Sequence, residues 1–135
     1  MQFLIDNWLL VAIALFSGAL LLWPMLMEAR QSGLSPNQVV QLINREKAVV
    51  VDVREPNEFS ASHLVGSRNV PLGDLDKRLP ETVRNKTLPL VLVCAKGARA
   101  TQALGRAQKL GYQQAHVLQG GMAAWKEANL PTQSA

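Results

Sequence analysis

The chain has one cysteine, Cys94, in 135 residues. A lone thiol excludes an internal disulfide and any Cys-x-x-Cys redox or zinc motif. Histidine is nearly as scarce: His63 and His116 stand far apart and offer no metal-ligand spacing. Neither a metal nor a cofactor is expected. The first 27 residues hold one charged side chain, Asp6, and no Lys or Arg. Aromatic residues make up 5% of the chain, and no dense basic stripe interleaves with them, so nucleic acid is not an expected partner. Internal repeats and low-complexity tracts are missing as well. The length leaves room for one compact domain beside any anchor.

What fills the N-terminus is a 20-residue run without charge, Trp8 to Met27. About 20 residues of helix cross the ~30 Å hydrocarbon core of a bilayer. Trp8 and Trp23 stand near its ends, where amphipathic rings favour the headgroup region, and Pro24 is expected in the last turn. A helix apolar all round is out of scale as a core element of so small a domain. A cleaved signal peptide fits poorly, because a basic start is missing and Met27-Glu28-Ala29 lacks small residues at both cleavage positions. The segment is therefore expected to be a retained, single-pass transmembrane anchor, residues 1–29. Arg30, Arg45 and Lys47 follow the span and no cation precedes it, which places the remainder in the cytoplasm, on an inner or plasma membrane. A single reduced thiol fits that compartment.

Residues 30–34 read as a linker and residues 132–135 as a tail. Between them, 35–131, helices alternate with short apolar runs. Ser35-Pro36-Asn37-Gln38 carries a helix start: Ser35 as N-cap, Pro36 at the first position, Gln38 completing a capping box, with Leu34 and Val39 as a staple. Ala48 to Val51 is β-branched and apolar without alternation, the mark of a strand covered on both faces. Pro56 starts a short helix, Ser67 to Val70 forms a second strand, and Leu72, Leu75 and Leu79 repeat at helical spacing. Leu90 to Val93 is a third strand, ending at Cys94. Ala100, Ala103, Leu104, Ala107 and Leu110 then mark one helix face, stopped by Gly111. Ala115 to Leu118 is a last strand, and Gly120-Gly121 opens a closing helix through Met122 and Trp125. This alternation predicts an α/β fold, an open parallel sheet flanked by helices, preceded by one transmembrane helix.

The stretch Cys94-Ala95-Lys96-Gly97-Ala98-Arg99 draws the chemistry. In open α/β sheets, sites lie at the carboxyl ends of strands. No proline removes an amide from this loop, Gly97 permits the angles that turn amides inward, and the next helix adds its unpaired N–H groups and dipole. Such a cradle favours an anion, either a thiolate or the oxygens of a substrate. Lys96 and Arg99 are the cations at hand, and Arg99 has the fork that grips an oxyanion through two N–H groups.

Four pieces in order, Asp52 to Phe59, His63 to Pro71, Cys94 to Arg99, and Gly120 to Trp125, make the chain resemble a single-domain rhodanese, a sulfurtransferase, over roughly Ser35 to Leu130. The resemblance implies a double displacement. Cys94 takes the outer sulfur of a donor such as thiosulfate, and a thiol, cyanide or a partner protein collects it from the Cys94 persulfide. Ala95, Lys96, Gly97, Ala98, Arg99 and Ala100 are the implied substrate-binding residues, their amides holding the persulfide and the two cations orienting the donor.

Asp52 and Arg54 read as supporting residues, Asp52 bonding loop backbone and Arg54 pairing with an acid such as Glu58. His63 and His116 read as structural, and Lys77, Arg78, Arg84 and Lys86 as a solvated face. A related cysteine phosphatase or arsenate reductase uses a loop one residue longer, with its arginine at the place of Ala100. The remaining alternative is a membrane-tethered binding module that shares the fold.

Overall fold

The structure, a computed structural model, describes residues 1–30 and 33–134. It divides into two units, Met1–Ser32 and Gly33–Ala135. The expected linker at 30–34 falls partly outside the described residues, at positions 31 and 32.

The first unit holds a short helix α1 (Gln2–Asp6) and the long helix α2 (Trp8–Arg30). Within α2, Trp8–Leu26 forms a 19-residue stretch of mean hydropathy 2.3 with none of it buried, long and apolar enough to cross a membrane. Pro24 lies inside α2 and not in its last turn, because the helix continues to Arg30. The proline removes one amide from the ladder, and the bonds on either side carry the helix past it.

In the second unit, α3 (Pro36–Glu46) leads into β1 (Val49–Asp52), α4 (Pro56–Ala61), β2 (His63–Leu64) and β3 (Arg68–Asn69). A 3-10 turn at Leu72–Asp74 opens α5 (Leu75–Thr82), followed by β4 (Leu90–Val93), α6 (Ala98–Lys109), β5 (Ala115–Val117), α7 (Gly121–Glu127) and β6 (Thr132–Gln133). The helix start at α3 has the expected form: the Gln38 amide donates to Ser35 Oγ at 3.3 Å and Gln38 Oε1 accepts from the Ser35 amide at 2.9 Å.

The main sheet is parallel, in the order β3-β1-β4-β5. β1 and β4 are central, and their side chains alternate between two buried layers. Val51, Leu90 and Leu92 join Leu75, Leu79, Ala103, Ala107 and Tyr112 under α5 and α6. Val50, Val91 and Val93 join Val39, Leu64, Leu118, Met122 and Trp125 under α3 and α7. Each fully buried Val or Leu in such a layer contributes about 1.5–3 kcal/mol, which explains the unbroken apolar runs of the two strands. The register pairs Asp52 with Val93, so β1 and β4 end together and deliver Val53 and Cys94 side by side.

Two features of the second unit depart from the sequence expectation. The second expected strand contracts to Arg68–Asn69. The expected tail contributes a strand, because Thr132 pairs with Leu64 and Gln133 with His63 in a separate antiparallel ribbon. Runs of two residues carry no periodicity from which to read them.

Candidate active site

Cys94 follows β4 directly and is 1% exposed. Its Sγ accepts a hydrogen bond from the Gly97 amide at 2.9 Å. Gly97 is the N-cap of α6 with φ +117, a region that side-chain-bearing residues avoid. The turn it makes carries the chain back over the thiol and into α6. Among the described residues, the amides of Ala95, Lys96, Ala98, Arg99 and Ala100 have no acceptor, while that of Thr101 is the first to bond back, to the Gly97 carbonyl at 3.0 Å. Those amides are the donor set of the loop. Ala100 is buried against the core, Lys96 and Ala98 are exposed, and Arg99 is half-buried.

The loop's carbonyls are held from behind. Met122 N–H donates to the Cys94 carbonyl at 2.8 Å and Ala123 N–H to the Ala95 carbonyl at 3.1 Å. The first amides of α7 thus cap the loop, and the helix comes so near because Gly121 has no side chain. A Cβ there would meet the Cys94 carbonyl oxygen and stand 2.7 Å from the Ala95 carbonyl carbon. With its carbonyls tied to α7, the loop keeps its amides for other acceptors.

The supporting residues pair differently from expectation. Asp52 and Arg54 bond each other: Arg54 Nε reaches both carboxylate oxygens at 3.0 Å, Nη2 reaches Oδ2 at 2.8 Å, and the Arg54 amide donates to Oδ1 at 2.9 Å. Arg54 therefore pairs with Asp52 and not with Glu58, and the carboxylate of Asp52 serves the side chain and amide of Arg54 and not the backbone of the Cys94 loop. The reason is local: residues two apart at a strand end project to the same side. Arg54 Nη2 also donates to the Ser62 carbonyl at 2.6 Å, which ties the far end of α4 to β1. His63 is buried, shares a hydrogen bond between Nδ1 and the Phe59 carbonyl at 2.8 Å, and stacks on Phe59 at 3.8 Å between centroids. His116 lies in β5, as expected.

Glu58, expected beside Arg54, is instead the partner of Arg99. Arg99 Nη1 donates to its Oε1 at 2.8 Å and Nη2 to its Oε2 at 3.1 Å, across 41 positions of chain. The guanidinium bond holds the Glu58 carboxyl at about 2, below its usual 4.5, and raises Arg99 in turn, with the charge of Cys94 a smaller contributor. Glu58 is fixed from its own helix as well, since Oε1 accepts the Glu55 amide at 3.3 Å. The sequence places Glu58 in the Asp52 to Phe59 stretch, and the spacing Glu55-Pro56-Asn57-Glu58 fixes where the carboxylate starts but not what it meets.

The sequence pattern of the rhodanese-like domain matches residues 35–128. A Synechocystis protein, slr1261, is 35% identical over 100 residues, covering 73% of this chain and 54% of that one. The Bacillus subtilis protein YqhL is 39% identical over 79 residues, covering 58% of this chain and 61% of its own length, so the chain spans less than two thirds of both relatives. The thiosulfate sulfurtransferase GlpE of Shewanella oneidensis is 32% identical over 96 residues, covering 71% and 93%. Among solved structures, a rhodanese-related protein of Thermoplasma volcanium superposes with a TM-score of 0.68 at 22% identity, covering 77% of this chain and 99% of the other, a likeness of fold. The α/β sheet that presents Cys94 is thus the rhodanese fold, and the chain belongs to the rhodanese-like domain family, whose members include thiosulfate sulfurtransferases.

Proposed function

We propose that this protein is a membrane-anchored sulfurtransferase that moves sulfane sulfur from thiosulfate or a persulfide donor to a thiol acceptor through a persulfide on Cys94. The observation that carries the reading is the loop: a cysteine at the carboxyl end of a central strand, its Sγ already bonded by one amide, with five further amides of the same loop without an acceptor among the described residues. In the first step the Cys94 thiolate attacks the outer sulfur of thiosulfate. A Cys94 S–S bond forms, the donor's S–S bond breaks, and sulfite leaves with the electron pair. In the second, an acceptor thiolate attacks the outer sulfur of the persulfide, and Cys94 departs as a thiolate. Preorganised amides stabilise the anionic sulfur through both steps without rearranging.

Lys96 and the amides of Ala95 to Ala100 bind the donor. Asp52 and Arg54 support the site through the backbone of β1 and α4. With one cysteine in the chain, the sulfur leaves on a separate thiol or a partner protein. The loop is one residue shorter than a phosphatase or arsenate reductase loop needs, and a pocket sized for sulfur disfavours a wider phosphoryl group. The apolar α2 anchors the protein in an inner or plasma membrane, with the cations from Arg30 onward holding the second unit in the cytoplasm. The same helix favours a second reading, a tethered binding module presenting the rhodanese fold to a membrane partner.

Mass spectrometry of the full chain in detergent tests the choice. After thiosulfate treatment, the wild type is expected to gain about 32 Da on Cys94, and Cys94→Ser none. A wild type that gains no sulfur from thiosulfate or from a persulfide leaves the binding reading. Alkaline extraction of membranes checks the anchor: release of the protein into the supernatant overturns it.

A further inference from the structure

The loop carries two cations, yet one of them is already engaged. Both terminal nitrogens of Arg99 are bonded to the carboxylate of Glu58, in a two-point pair at 2.8 and 3.1 Å. Glu58 is not a chance neighbour. Pro56 opens α4, the Glu55 amide donates to Glu58 Oε1, and the Asp52–Arg54 pair with the Arg54 bond to the Ser62 carbonyl pins the chain on both sides of the helix. The carboxylate is thus held out toward the loop by its own helix. An incoming anion therefore meets a guanidinium whose charge is offset by Glu58, and Lys96 as the one loop cation without a carboxylate partner among the described residues.

Building on the sulfur-transfer reading above, we infer that Glu58 is a specificity-determining positioning residue that sets the charge of the preferred donor. It disfavours a compact dianion such as thiosulfate relative to donors that bring less charge to the loop, such as organic thiosulfonates and persulfides. The effect is electrostatic, so removing the carboxylate's charge rewards each donor in proportion to its own charge.

The test compares Cys94 persulfide formation from thiosulfate, a dianion, and from benzenethiosulfonate, a monoanion with the same sulfane chemistry, in the full chain in detergent. In Glu58→Gln, kcat/KM is expected to rise about tenfold for thiosulfate and about threefold for benzenethiosulfonate at low ionic strength, with the difference shrinking in high salt. Glu58→Asp keeps the charge and is expected to keep the wild-type ratio between donors, which a merely structural role would not predict. Equal changes for the two donors in Glu58→Gln, or a loss for both with folding intact, overturn the inference while leaving sulfur transfer standing. A wild type that forms no persulfide with either donor overturns both.

Discussion

Replacing Gly121 by alanine tests how the cysteine loop is held. Gly121 has φ +59, and its missing Cβ is what lets α7 approach the loop. An added Cβ would stand 2.7 Å from the Ala95 carbonyl carbon and 2.8 Å from its oxygen, and nearer still to the Cys94 carbonyl oxygen. Those atoms are backbone, and a backbone anchored in a central strand cannot swing aside as a side chain tip can. The left-handed angle costs an alanine about 1–2 kcal/mol. Relief of the clash moves α7 away and weakens the two amide bonds to the Cys94 and Ala95 carbonyls, worth about 1 kcal/mol each. Gly121→Ala is thus expected to lose about 3–4 kcal/mol, lowering the midpoint of a domain this size by about 15 °C or more. The assay is thermal unfolding of the full chain in detergent by near-UV circular dichroism, beside sulfur loading of Cys94. Gly105→Ala is the control: it lies in α6 with open space around it, and alanine there is expected to add about 1 kcal/mol. A Gly121→Ala protein that melts within about 5 °C of the wild type and loads sulfur normally would refute the reasoning.

Asp52→Asn leaves Arg54, 6% exposed, without its counter-charge, and is expected to cost about 3–5 kcal/mol by thermal unfolding. Adding Arg54→Met to it is expected to restore part of the loss. Tyr112→Phe removes the hydroxyl that reaches the Leu79 and Val83 carbonyls at 3.1 and 2.6 Å, and is expected to cost about 1–3 kcal/mol in the same assay. Because the Glu58 carboxyl is held at about 2 against an ordinary 4.5, its ion pair stabilises the fold above pH 4.5 and loses that contribution as pH falls from 4.5 toward 2. The pair is about one-third exposed, so water screens it and the contribution is about 1 kcal/mol. A melting-temperature profile against pH is expected to fall more steeply in the wild type than in Glu58→Gln across that window.

The elements that could be read in advance are those whose physics is local. Val49 to Val51 and Leu90 to Val93 are apolar at every position because two layers cover them, and a run without alternation says so by itself. The start of α3 is written in four adjacent residues, and the geometry of Ser35 and Gln38 follows from them. Cys94 could be placed at a strand end and Gly97 in the turn after it, since both follow from the boundary between a strand pattern and a helix pattern. Pro24 was harder, because a proline in an apolar helix marks a lost bond without saying whether the helix stops there.

What could not be read is which charge meets which. Asp52, Arg54, Glu58 and Arg99 were all in view as chemistry-bearing residues, and the four form two pairs. Composition allows either acid for either arginine. Asp52 meets Arg54 through the local geometry of the strand end, whereas Glu58 and Arg99 meet across 41 positions of chain, a contact that no neighbouring residue announces. Asp52 and Arg54 end on one side of a strand terminus and satisfy each other where water is excluded, since a buried charge without a partner is costly. That leaves Glu58 and Arg99, brought together at the surface of the loop, where a half-exposed pair contributes little to stability. The division has a functional consequence. The buried pair fixes the scaffold around β1, so substitutions at Asp52 are expected to act on folding, while on the inference drawn above those at the half-exposed Glu58 act on the choice of donor.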